Sequence, residues 1–145
     1  MKKYINIIIL LVWMIFIFIM SHSNGLESEN QSNFIVNFIN NILKLENTEV
    51  IGIIIRKLAH LFDYFVLGIL MFNCLKGYNI KRIILISLVL CSIYAITDEI
   101  HQLYIPGRSG NLIDVMIDAV GSVIGIILYN FMYKKLKYKY CKNNI

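Results

Sequence analysis

Three short runs concentrate the polar chemistry of an otherwise apolar chain. Arg56, Lys57, His60, Asp63 and Tyr64 form the first, Asp98, Glu99 and Gln102 the second, and Asp114 and Asp118 the third, with Arg108 between the last two. On a helix, Arg56, His60 and Asp63 at i, i+4 and i+7 share a face, Asp98 and Glu99 both neighbour Gln102, and Asp114 precedes Asp118 by one turn. An imidazole set among carboxylates can exchange protons, and arginines clamp phosphates and other anions. The candidate catalytic residues are therefore His60, as general acid or base, and Glu99, Asp98 and Asp118 as its orienting or second acid/base partners. Arg56, Lys57, Asp63, Tyr64, Gln102, Arg108 and Asp114 are the candidates for anion or substrate binding. A metal variant would draw ligands from His60, Glu99, Asp118 and His101, but this spacing matches no familiar metal motif, so no metal is assigned and the cofactor stays open.

The elements that must carry these residues are membrane spans. The chain has 145 residues, 58% hydrophobic and 16% charged, with one proline, a net charge of +5 and a mean hydropathy of +0.67. That composition excludes an ordinary soluble globule, and the length allows one domain over residues 1–145. Apolar blocks over about residues 4–20, 50–75, 83–103 and 112–133 can each cross a hydrocarbon layer of roughly 30 Å. The expected fold is an all-α integral membrane protein of four transmembrane helices plus an extracytoplasmic amphipathic helix. The latter is read from Phe34, Ile35, Phe38, Ile42 and Leu45, which recur at helical spacing; the helix either lies on the outer leaflet or packs as a lid over the bundle.

Charge asymmetry sets the direction. Ten of the fourteen basic residues flank the first span, join the second to the third, or follow the fourth over residues 134–145. This pattern puts both termini in the cytoplasm of a bacterial cell, with the chain multi-pass in the cytoplasmic membrane and the basic tail gripping anionic lipid rather than nucleic acid. The first block has a basic start and Ser21-His22-Ser23 at its end, as in a signal peptide, and is read as an uncleaved span. Cys74, Cys91 and Cys141 are too dispersed for a disulfide framework or a zinc site.

Counting from the cytoplasmic ends places His60, Asp98, Glu99 and Asp118 about 5–6 Å below the outer interface and Asp63 about 10 Å below it. Three helices thus deliver ionisable groups to one layer. Because a charge facing lipid costs on the order of 2.5–3.5 kcal/mol at midspan, these groups should face one another or an outward-opening polar cleft. Asn111 is placed to cap the fourth span, Gly121 and Gly125 to permit close helix packing, and the turn at Pro106-Gly107-Arg108-Ser109 to fold Arg108 back over the acids.

At these residues the sequence resembles the VanZ-like family of bacterial membrane proteins. The match comprises Arg56-Lys57-x-x-His60-x-x-Asp63-Tyr64, Asp98-Glu99-x-x-Gln102, Pro106-Gly107-Arg108-Ser109, and Asp114-x-x-x-Asp118-x-x-Gly121-x-x-x-Gly125, over roughly residues 50–130. Asp63 stands where the family more often has glutamate, which keeps the carboxylate on a shorter arm. The resemblance implies a cell-envelope protein associated with low-level resistance to the glycopeptide teicoplanin, without replacement of the peptidoglycan precursor. Three roles share the residues: an intramembrane enzyme acting on an outer-leaflet lipid or lipid-linked cell-wall precursor, a non-catalytic accessory protein binding a headgroup, a glycopeptide or a partner protein, and a buried charge network that only locks the bundle. The oligomeric state is not legible.

Overall fold

The computed structural model describes residues 2–43, 48–78 and 80–142, and among them the protein is entirely helical apart from turns. Its helices are α1 (Lys2–His22), α2 (Gly25–Leu43), α3 (Thr48–Leu75), α4 (Ile83–Gln102) and α5 (Leu112–Lys142), with one 3₁₀ turn at Lys76–Tyr78. Four helices, α1, α3, α4 and α5, are long and apolar enough to cross a membrane, and the chain is a multi-pass all-α membrane protein. The spans have the expected apolar exteriors: Ile8, Val12, Ile15, Leu58, Phe62, Val89, Ile93, Val120 and Ile124 are all exposed on the bundle. A lipid-facing surface accounts for that exposure, which would be anomalous in water.

The helix α3 is central and touches each of the other four. Its 28 residues extend about 42 Å, more than a hydrocarbon layer requires, and the excess at its start packs against α2. Its longest interface is with α5, which runs parallel to it, as the successive pairs Lys57–Asp114, His60–Asp118 and Asn73–Tyr129 show. Glycines bring the two backbones together. A Cβ on Gly121 would stand 2.4 Å from the Leu61 carbonyl oxygen, one on Gly125 2.1 Å from that of Phe65, and one on Gly68 2.5 Å from that of Ser122. The close-packing expectation for Gly121 and Gly125 therefore holds, with Gly68 completing the seam from the α3 side.

The helices α1 and α4 run opposite to α3 and α5, closing a buried core of Leu10, Ile17, Tyr64, Leu67, Met71, Cys91 and Ala95. Tyr94 Oη donates to the Met14 carbonyl at 2.6 Å and Trp13 Nε1 to that of Asp63 at 3.0 Å, fixing α1 against α4 and α3. Cys74 and Cys91 are free. At the end opposite the polar runs, Lys76 Nζ donates to Tyr129 Oη, which donates to Asn73 Oδ1 at 2.7 Å.

The α2 helix starts earlier than the apolar stripe predicted. Asn24 and Glu27 cap it reciprocally: the Glu27 N–H donates to Asn24 Oδ1 at 2.8 Å and the Asn24 N–H to Glu27 Oε2 at 3.3 Å. Ser32 and Val36 are buried, whereas Phe34, Ile35 and Phe38 of the predicted stripe are exposed. One face thus covers the bundle and the other presents aromatic side chains outward; Leu45 lies outside the described residues. The Gly25 N–H donates to the Pro106 carbonyl at 3.1 Å, and Gly25 sits so close to Gly107 that a Cβ would meet its carbonyl oxygen at 2.1 Å. Gly107 has φ +76°, a conformation that favours glycine.

Candidate functional site

The ends of α1 and α4 and the starts of α3 and α5 meet around a cavity of about 440 Å³, with α2 along one side. Arg56, Lys57, His60, Asp63 and Tyr64 of α3, Asp98 and Gln102 of α4, Arg108 of the connecting loop and Asp114 of α5 all line it. The one-face reading of Arg56, His60 and Asp63 is thereby realised. Glu99 and Asp118 do not line the cavity; they lie beneath it as buried carboxylates touching residues at or beside its wall.

Each acid has its own arrangement. Lys57 Nζ donates to Asp114 Oδ1 at 2.6 Å, a half-exposed ion pair in the first turn of α5. Deeper, the His60 imidazole N–H donates from Nδ1 to Asp118 Oδ1 at 3.3 Å. Asp118 is 0% exposed and its Oδ2 has no hydrogen-bond partner among the described residues. Gln102 Nε2 donates to Glu99 Oε1 at 3.2 Å and, more weakly, to Asp98 Oδ2 at 3.4 Å, as the i+3 and i+4 spacings require. The Asn111 N–H donates to Glu99 Oε2 at 2.8 Å, joining the start of α5 to the end of α4, while Asn111 Oδ1 caps the helix through the Ile113 N–H at 3.0 Å.

Arg108 folds back as expected, but onto different partners. Its Nη1 donates to Gln102 Oε1 at 3.2 Å and its Nη2 to the Met20 carbonyl at 3.2 Å, so it bridges α4 and α1 without touching a carboxylate. Burial pushes its pKa below the ordinary arginine value, Asp98 and Glu99 act in the opposite direction, and neighbouring Arg56 lowers it further. A guanidinium remains charged regardless. Arg56 makes no hydrogen bond or ion pair with any described residue, leaving its fork available to the cavity it lines.

Other polar groups here were not among the sequence candidates. Ser21, Ser28, Ser32, Ser109 and Asn111 line the cavity. Among the described residues the buried Tyr64 Oη and Arg108 Nε have no hydrogen-bond partner, and Ser21 Oγ and Asp98 Oδ1 face each other without a close bond, so the wall carries unsatisfied donors and acceptors on several elements. Burial of such groups costs about 1–3 kcal/mol each unless water or a ligand satisfies them. His101 is not part of the cluster: its Nε2 lies 3.1 Å from His22 Nδ1, and its ring stacks on Phe18 with centroids 4.7 Å apart.

The family model described as VanZ/LLP1 matches residues 6–133. This chain belongs to the VanZ/LLP1 family. The match extends beyond the four motifs to α1 and α2, the segments that contribute Ser21, Ser28 and Ser32 to the cavity wall. Neither the curated proteins nor the solved structures offer a match to this VanZ/LLP1 chain.

Proposed function

We propose that this VanZ/LLP1 protein acts at the outer face of the bacterial cytoplasmic membrane, receiving in its cavity the anionic headgroup of a lipid or lipid-linked cell-wall precursor, and thereby contributes to low-level teicoplanin resistance. The observation that carries the proposal is the polarity of the cavity: two arginines at its rim stand over a histidine whose ring is braced by a buried carboxylate. Arg56 and Arg108 supply the planar donors suited to phosphate, Arg56 with its whole fork free. His60 lines the cavity and can exchange a proton with the bound group; Asp118 fixes its ring, and Glu99 is held in turn by Gln102 and Asn111. The outward direction follows from the lysines at Lys2, Lys3, Lys76 and Lys81 and in the tail, all at the end away from the cavity.

A second reading, binding without chemistry, is favoured by the position of Glu99 and Asp118 beneath the wall, where they support other side chains. The two separate at His60. Expressed in a teicoplanin-susceptible host, the parent chain should raise the inhibitory concentration several-fold. At equal membrane abundance, Arg108→Ala should abolish protection under both readings and His60→Ala only where a proton is exchanged. Protection unchanged by both substitutions would contradict the site assignment.

A further inference from the structure

We propose that His60, Glu99 and Asp118 bind one divalent transition-metal cation of the zinc or manganese class beneath the floor of the cavity. Each of the three offers one ligand atom, and these atoms lie within 4.8 Å of one another although they come from three different helices. One pair is already at coordination spacing. Two ligands bonded tetrahedrally at about 2.1 Å stand about 3.4 Å apart, and His60 Nδ1 lies 3.3 Å from Asp118 Oδ1. A cation there takes the place of the proton between them.

A second observation points to a ligand. Asp118 is wholly buried, yet among the described residues its Oδ2 accepts from nothing, and buried Asp98 stands on the cavity wall beside the cluster. Glu99 and Asp118 gather at one imidazole with Asp98 buried beside them, and among the described residues none of the three carboxylates forms an ion pair with an ammonium or guanidinium, since Lys57 is taken by Asp114 and Arg108 by Gln102 and Met20. Buried negative charge of this density requires a compensating cation or protons.

The outer hydrogen bonds are of the kind that orient metal ligands. Both Glu99 oxygens are held, by Gln102 Nε2 and the Asn111 N–H, and each keeps a further lone pair. One imidazole with two carboxylates selects a borderline transition cation over calcium or magnesium. The inference concerns the same site as the proposed function but does not depend on which headgroup occupies the cavity.

The test is metal content of the full chain, purified in detergent, stripped with a chelator, and dialysed against zinc or manganese. The expected result is one cation per chain, with affinity falling at least tenfold in His60→Ala, Asp118→Asn and Glu99→Gln, each checked for folding by Trp13 fluorescence, and unchanged in Lys81→Ala, at the exposed far end of the bundle. No stoichiometric cation would overturn the proposal. So would loss of the cation in His101→Ala but not in His60→Ala, which would locate it at the exposed His22–His101 pair. A chain that binds the cation but gives no teicoplanin protection keeps this inference and removes the resistance reading; one that protects without a stoichiometric cation does the reverse.

Discussion

Adjacent basic residues of α3 have opposite situations. Lys57 is engaged with Asp114, whereas Arg56 makes no bond with any described residue. Lys57→Ala should therefore lower thermal stability in detergent by up to about 1 kcal/mol, the range of a half-exposed pair, and Arg56→Ala should leave the melting temperature unchanged. A larger loss in Arg56→Ala would mean that it serves the fold. At this scale the sequence was informative where the chemistry is local. The bonds from Gln102 to Asp98 and Glu99 follow from helical spacing, and Asn111 caps α5 as its position implied. It was silent on Tyr94 and Trp13, whose partners lie on other helices and leave no mark on neighbouring positions. Arg108 folds back over the acids as the turn implied, but its hydrogen bond to Gln102 was not legible, because nothing in the loop shows that Gln102 stands between them.

The spans were legible from hydropathy because a membrane accepts only segments that satisfy their own backbone. The start of α2 was not read, although Asn24-x-x-Glu27 is a capping signature. Asn24→Ala should cost about 1 kcal/mol and loosen α2 at the cavity, seen as faster amide exchange over residues 25–32 with the spans unaffected. The parallel seating of α5 on α3 was legible only as a glycine stripe, since a stripe does not name its partner helix. Gly125→Val should force the Phe65 backbone away, destabilising the chain by about 1–3 kcal/mol or more and reducing membrane abundance. Gly77→Val, where the nearest neighbour is the flexible Lys3 side chain 3.5 Å away, should be tolerated. Equal tolerance at both sites would mean that the α3–α5 seam does not set the bundle.

For the molecule as a whole, the four spans carry most of the lysines at the end away from the cavity, an asymmetry that predicts an outward-facing cavity. A cysteine at Ser109→Cys should react with an impermeant maleimide in intact cells, while Cys141 should react only after permeabilisation; the reverse pattern would turn the cavity toward the cytoplasm. All elements converge on the cavity: α1 and α4 end there, α3 and α5 begin there, and α2 flanks it through the Gly25–Pro106 bond. The most direct measurement is native mass spectrometry of the chain released from detergent with equimolar phosphatidylglycerol and phosphatidylcholine. One retained anionic lipid is expected, displaced at least tenfold more readily in Arg56→Ala and Arg108→Ala. Equal retention of both lipids, unaltered by either substitution, would contradict it.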